Sequence, residues 1–238
     1  MSILCETGRL QEDMEFTIED LLTAYAQGYF PMADHRTDAG FDLVAPHTRA
    51  LLPIKHLHIP RRLRRKVGQA PFVITFDTAF DDVICACANA RPDTWINDAI
   101  INAFCDLHRR GWAHSVEVWQ EGQERQERYL VGGLYGLVLG STFCGESMFS
   151  TVTDASKIAL VHLCARLDRA GFKLLDSQFR NPHLDQFGLY EMPQDDYVAL
   201  MRAGLADHPD FNCALERERV LVQKFLDRKT LGSGAGSV

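Results

Sequence analysis

Three short stretches of this 238-residue sequence carry side chains able to do chemistry. The first is Lys173-Leu174-Leu175-Asp176-Ser177-Gln178-Phe179, an apolar run interrupted by a carboxylate and an amide. As a strand it alternates faces, so Asp176 and Gln178 share one side with Leu174, while Leu175, Ser177 and Phe179 face the other. Such groups are costly to bury without partners. They read either as a structural hydrogen-bonded pair or as a couple that positions an amine and a carbonyl. Asn181 and His183, just past the strand, extend the polar set.

The second stretch is Phe143-Cys144-Gly145-Glu146-Ser147-Met148-Phe149-Ser150. A lone glutamate among aromatic and sulfur side chains either binds an ammonium group from a half-buried position or sits on an ordinary surface turn. Cys144 has no adjacent base, so it reads as a packed thiol rather than a nucleophile. The third stretch, Gly132-Gly133-Leu134-Tyr135-Gly136, does not match a dinucleotide-binding fingerprint and opens no helix. Glycines inside strands mark bulges or the close approach of another backbone.

Charge adds a fourth feature. The chain has a net charge of −7, yet Arg61-Arg62-Leu63-Arg64-Arg65-Lys66 places five cations in six positions. In an acidic protein this is either a solvated helix face or a docking patch for nucleic-acid phosphates. The composition, 46% hydrophobic and 24% charged, excludes disordered and collagen-like chains. Seven scattered cysteines suggest reduced thiols, and Cys85-Ala86-Cys87 lacks zinc-site spacing, so no metal is expected. The N-terminus lacks a signal-peptide pattern and no apolar run is long enough to span a bilayer, which predicts a cytoplasmic protein away from membranes.

The elements that must position these groups follow from periodicity and punctuation. A helix is expected from Phe16 to Tyr29 with Thr17 as cap and Gly28 as its end. One short strand is expected within Leu51 to Ile59, and the basic run after Pro60 reads as helical. Phe72 to Phe76 is a strand, with helices at Ala79 to Ala88 and Asn97 to Arg110. Strands follow at His114 to Gln120, Arg128 to Leu134 and Gly136 to Phe143. A long helix is expected at Asp154 to Ala170, a strand at Phe172 to Phe179, and a last helix at Gln194 to Leu205. The order is that of an α+β core and resembles the Gcn5-related N-acetyltransferase (GNAT) architecture. The expected division is a small N-terminal α/β domain over 1–60, a GNAT-like catalytic domain over 61–228 and a flexible tail over 229–238.

Several motifs together resemble the bacterial leucyl/phenylalanyl-tRNA–protein transferases. They are Ala24-Tyr25-x-x-Gly28-x-Phe30-Pro31, Thr94-Trp95-Ile96, His114-Ser115-Val116-Glu117-Val118-Trp119, Leu130 to Gly136, Phe143 to Ser150, Ala155-Ser156-Lys157-x-Ala159-Leu160 and Asp176-x-Gln178. The resemblance runs in order from about residue 16 to 204. It implies transfer of Leu or Phe, and less well Met, from aminoacyl-tRNA to the N-terminal amine of proteins that begin with Lys or Arg, marking them for N-degron degradation. It implies no cofactor, since the aminoacyl ester is already activated, and a monomer is expected.

The resemblance also assigns roles. Asp176 and Gln178 become the catalytic pair, with Asp176 either orienting Gln178 or acting directly as base. Glu146 joins them by reading substrate ammonium groups. Leu134, Met148, Leu160, Leu163, Leu167 and Leu175 line an apolar cup for the donated side chain, with Ser147 and Asn181 beside it. Trp95 lies near the tRNA 3′ adenosine, and Arg61, Arg62, Arg64, Arg65 and Lys66 contact the tRNA backbone. The chain departs from the family where Leu43-Val44 replaces an aromatic stretch before Pro46-His47-Thr48-Arg49, and Pro193-Gln194-Asp195 replaces a Pro-Arg pattern. Two rival readings are an acyl-CoA N-acetyltransferase, whose pyrophosphate loop is matched only by the misplaced Arg65 to Ala70, and a non-catalytic tRNA-binding or degron-adaptor protein.

Overall fold

The computed structural model describes residues 5–8, 17–124, 127–213 and 217–232, with the backbone alone at 5–8 and 229–232. Strand β1 (Cys5–Gly8) precedes helix α1 (Ile18–Ala26), which opens on a capping box. Thr17 Oγ1 accepts from Asp20 N at 3.2 Å, and Asp20 Oδ2 accepts from Thr17 N at 3.0 Å. Strands β2 (Phe30–Met32) and β3 (Asp42–Pro46) complete a three-stranded sheet in the order β1-β3-β2.

The remaining strands form a seven-stranded sheet. In chain order they are β4 (Thr48–Leu52), β5 (Val73–Phe76), β6 (Ala113–Glu121), β7 (Arg128–Leu139), β8 (Thr142–Ser150), β9 (Leu174–Asp176) and β10 (Tyr190–Pro193). Their spatial order is β10-β4-β9-β8-β7-β6-β5. Every pairing is antiparallel except β8 with β9. That parallel pair needs a crossover, supplied by the long helix α5. The helices in chain order are α2 (Arg61–Gln69), α3 (Phe80–Asn89), α4 (Asp98–Arg109), α5 (Ala155–Ala170), α6 (Pro182–Asp185), α7 (Gln194–Gly204) and α8 (Glu218–Gly232). Among the described residues, no helix is long and apolar enough to cross a membrane.

Alternation along the strands divides the core between the two sheet faces. One face buries Val116, Val118 and Leu134 with Ile158, Val161 and Leu163 of α5, Leu63 and Val67 of α2, and Phe225 of α8. The other buries Tyr135 and Leu137 with Leu21 and Tyr25 of α1, Val83 of α3, Phe104 of α4 and Tyr197 of α7. The N-terminal helix thus shares a core with the large sheet, and β4, which precedes residue 60, is one of that sheet's inner strands.

Four expectations are corrected. The strand expected within Leu51 to Ile59 is Thr48–Leu52, stopped where Pro53 removes an amide donor. The strands expected at 128–134 and 136–143 are one strand, β7, and the stretch around Glu146 is itself strand β8; Gly140, at φ 55°, makes the turn between them. Within β7, Gly132 marks a close approach, as expected of a glycine inside a strand: a Cβ there would lie 2.5 Å from the Ala155 Cβ of α5. The expected strand Phe172 to Phe179 is confined to Leu174–Asp176. Finally, α8 is a helix where none was expected. It runs through Gly232, into the span assigned to a flexible tail, whose last residues, 233–238, lie outside the described residues.

Candidate functional site

The shortened β9 decides the geometry of the site. Gln178 does not continue the strand alternation; it lies in the left-handed region at φ 54°. For a non-glycine residue that conformation costs on the order of 1–3 kcal/mol and persists only when its surroundings hold it. Here the Asp176 side chain does so, with Oδ1 accepting from Gln178 N at 2.8 Å. The shared strand face expected for Asp176 and Gln178 is therefore replaced by a tight local loop.

Asp176 is wholly buried and accepts four hydrogen bonds. Arg49 grips it bidentately, Nε to Oδ1 at 2.8 Å and Nη2 to Oδ2 at 2.6 Å, and Tyr197 Oη donates to Oδ2 at 2.9 Å. Each oxygen has two donors, so its lone pairs are engaged. Burial, the largest single influence, would lower the pKa of Arg49, but the charge and hydrogen bonds of Asp176 together with Tyr197 and Cys144 outweigh it and hold the value above that of an ordinary arginine. The third donor of Arg49, Nη1, reaches Gly28 O at 2.9 Å. Gly28 sits at φ 87°, and a Cβ there would meet Gln194 Nε2 at 2.3 Å, so only glycine fits.

Glu146 reaches the same place by a β-bulge. Tyr135 pairs with Ser147 and Gly136 with Gly145, which leaves Glu146 as the extra residue on β8. Its Oε1 accepts from Tyr25 Oη at 2.8 Å and from Gln178 Nε2 at 3.2 Å. Burial pushes the Glu146 pKa up to about 8; the Tyr25 hydrogen bond opposes this and the Asp176 charge reinforces it. The side chain is half-buried at a cavity wall rather than on a surface turn. Cys144, fully buried, has its pKa raised by burial and by Asp176, as suits a packed thiol.

A cavity of about 460 Å³ opens beside these groups. Of the expected residues, Asp176, Gln178, Glu146, Trp95, Leu134, Met148, Leu160, Leu163, Leu175, Ser147 and Asn181 line it. Leu167 does not. It is fully buried in the core, one helical turn beyond Leu163 and past the reach of the cavity. Leu43 and Val44 also lie off the cavity, in the small sheet, while Phe30 and Phe179 wall it and pack edge to face at 5.4 Å.

A second, shallower depression is lined by Arg61, Arg62, Arg65, Lys66, Gln69 and Asp154. Arg64 is absent from it, because its Nη1 is turned to Leu226 O on α8. The face set by the 3.6-residue period separates it from its neighbours. Lys66 is tied to Asp154 at 3.2 Å and to Thr153 O at 2.6 Å.

Sequence reasoning missed the importance of Arg49, Tyr197 and Tyr25. The one signal for Arg49 was an arginine beside the apolar run Ala50-Leu51-Leu52, which calls for a buried anion. Tyr25 stood in the Ala24-Tyr25-x-x-Gly28-x-Phe30-Pro31 motif of the family resemblance without a role of its own, and Tyr197 gave no signal. Among the described residues no group of three or more His, Cys, Asp or Glu is arranged to hold a metal.

The mixed α+β fold thus holds a cavity with apolar walls, a fixed amide and a raised-pKa carboxylate, and it carries a cationic depression as well. A family profile described as "Leucyl/phenylalanyl-tRNA protein transferase" matches residues 51–202, and the profile of that family's N-terminal domain matches residues 14–41. The chain is 54% identical over 200 residues to a leucyl/phenylalanyl-tRNA–protein transferase of Hyphomonas neptunium, covering 83% of this chain and 75% of that one. The Caulobacter vibrioides protein of the same name is 51% identical over 202 residues, covering 84% and 90%. The chain belongs to the leucyl/phenylalanyl-tRNA–protein transferase family.

Proposed function

We propose that the chain transfers Leu or Phe, and less well Met, from aminoacyl-tRNA to the N-terminal α-amine of acceptor proteins that begin with Lys or Arg, marking them for N-degron degradation. The observation that carries the chemistry is the Gln178 amide. Its Nε2 is occupied by Glu146, and its side-chain oxygen has no hydrogen-bond partner among the described residues. That oxygen is available to accept an N–H of the attacking amine.

In the reaction the amine nitrogen forms a bond to the ester carbonyl carbon, and the bond to the tRNA 3′ oxygen breaks. Glu146, with a pKa of about 8, matches an α-amine of about 7.7–8.0 and takes its proton; the leaving 3′ oxygen is protonated in turn. Asp176 acts as a positioning residue. Its engaged oxygens suit holding Gln178 in its left-handed conformation rather than taking a proton. Leu134, Met148, Leu160, Leu163 and Leu175 receive the donated side chain, and Trp95 with Phe30 and Phe179 suits the terminal adenosine, where stacking contributes about 1–3 kcal/mol per base. Most of the acceleration comes from holding donor and acceptor together.

The antiparallel β6-β7-β8 run, the α5 crossover and the parallel β8–β9 pair support a GNAT-like catalytic unit. A monomer is part of this reading, and the six described cysteines are free, which suits the cytoplasm. The deciding experiment incubates the protein with labelled aminoacyl-tRNAs and peptides of varied first residue. Label appearing on Lys- and Arg-starting peptides supports the reading; acetylation from acetyl-CoA with no tRNA requirement overturns it.

A further inference from the structure

The C-terminal end of α1 is tied to both carboxylates of the site. The helix starts on the capping box at Thr17 and ends before Gly28, whose carbonyl accepts from Arg49 Nη1 and from Gln194 Nε2, each at 2.9 Å. Through Arg49 that carbonyl is joined to Asp176. Between these ends Tyr25 falls on the buried helix face with Leu21 and has no exposed surface. Its hydroxyl reaches Glu146, 121 residues along the chain, where Oη donates to Oε1 at 2.8 Å. Gln178 Nε2 donates to the same oxygen at 3.2 Å. Glu146 Oε2 has no hydrogen-bond partner among the described residues. Nor is it one of the buried polar atoms left unpaired, so it keeps open surface on the cavity that Glu146 lines.

We propose that Tyr25 is a positioning residue for the transfer reaction, its hydroxyl fixing Glu146 Oε1 so that Oε2 faces the attacking amine and the Gln178 amide presents its oxygen. This rests on the reading above in which Glu146 takes the amine proton. A carboxylate only accepts hydrogen bonds, so an amide bound to it must offer its nitrogen and turn its oxygen away. Gln178 alone secures that arrangement poorly, because a flexible side chain must give up its own rotamer freedom to hold another. Tyr25 is better placed: its ring is buried in a core with Leu21, Phe30 and Tyr135, on a helix pinned at both ends. Burial, then the Glu146 charge, hold the proton on Tyr25 well above the ordinary tyrosine range, so it stays a donor while Glu146 titrates. As the C–N bond forms, the amine proton passes to Oε2 and the Tyr25 proton stays in place. The other ionisable groups about Glu146 are Arg49 from β4, Asp176 from β9, Tyr135 from β7 and Cys144 on β8 itself. Among the described residues only Tyr25 and Gln178 hydrogen-bond to it.

The test is Tyr25→Phe, which removes one oxygen and keeps the ring, made both in wild type and in Glu146→Gln. The lost hydrogen bond lowers the Glu146 pKa in wild type, so the rise in single-turnover rate should move to higher pH by about one unit, the size of one such bond. At about pH 7 the rate should fall about tenfold, and most of that loss should disappear above about pH 10. In the Glu146→Gln background the same substitution should change the rate less than about twofold, because it acts through the carboxylate. Apart from turnover, a carbon-13 titration of the Glu146 carboxylate in the free protein should show the same upward shift. A Tyr25→Phe pH profile coincident with wild type, or an unmoved carboxylate titration, overturns the proposal while leaving the transfer reading intact. Equal losses in the two backgrounds also overturn it and assign Tyr25 to the core alone. Wild-type protein inactive on every aminoacyl-tRNA, or Glu146→Gln with the wild-type pH profile, overturns the reading of Glu146 as proton acceptor, and the positioning role falls with it.

Discussion

Arg49 Nη2 lies 2.6 Å from Asp176 Oδ2, and neither side chain has exposed surface. The pair ties β4 to β9 and, through Gly28 O, to the end of α1. Removing one partner leaves the other charge buried and uncompensated, a cost of about 3–5 kcal/mol. Arg49→Gln should therefore lower the unfolding free energy by about that amount. Arg49→Lys should be nearly as harmful, because one ammonium cannot reproduce the two-pronged grip. Urea unfolding checks both; stability equal to wild type would refute the role.

Gln178→Ala should slow single-turnover transfer by about 10²-fold or more while leaving aminoacyl-tRNA binding close to normal. Asp176→Ala is a poor companion test because it strands Arg49. Asp176→Asn keeps the shape and is expected to reduce transfer less than Gln178→Ala. The reverse order would restore Asp176 as the direct base.

Glu146 should couple stability, and on the proposed reading catalysis too, to pH. Its folded pKa of about 8 exceeds the unfolded 4.5, so the folded protein holds this proton more tightly. Stability from this group is therefore present below the unfolded pKa and declines as pH rises toward the folded one. Glu146→Gln should remove that decline, seen as a flatter Tm between about pH 4.5 and about pH 8. It should also remove the rise in kcat with Lys- and Arg-starting peptides that accompanies ionisation near pH 8 in wild type. Identical pH profiles for the two proteins would exclude Glu146 as the proton acceptor.

Replacing Arg61, Arg62 and Arg65 with Gln should weaken aminoacyl-tRNA binding for every donor amino acid, because phosphate contacts carry no sequence information. The slope of log K against log salt should flatten by about 0.7–0.9 per lost contact. Arg64→Gln belongs to a different class: its bond to Leu226 O predicts lost stability and little change in salt slope.

Helix α8 lies beyond the residues 51–202 matched by the family profile, yet it buries Val222, Phe225 and Leu226 against α2 and α5. Phe225→Ala should cost about 3–5 kcal/mol in thermal or urea unfolding. A change below about 1 kcal/mol would mean that the helix is not integral to the core.

Local pattern was enough to show the α+β class, most helices, the cationic run and the carboxylate and amide groups. These depend on periodicity, capping and composition, which are properties of neighbouring residues. The capping box at Thr17 and Asp20 is an example, since both partners lie within one turn. The motifs around Glu146, Asp176 and Gln178 were also legible as strings of residue types.

Their geometry was not, because it depends on contacts distant in sequence. The period-two rule put Asp176 and Gln178 on one strand face, but the backbone turns left-handed at Gln178 because the Asp176 carboxylate captures its amide. That carboxylate is held in place by Arg49, 127 residues away, and by Tyr197 on α7. Glu146 faces the cavity through a bulge that exists only once β7 and β8 pair. The same holds for the stripe of leucines on α5. Helical spacing grouped Leu160, Leu163 and Leu167, but only the packing of α5 across the sheet separates the two that line the cavity from the one sealed in the core.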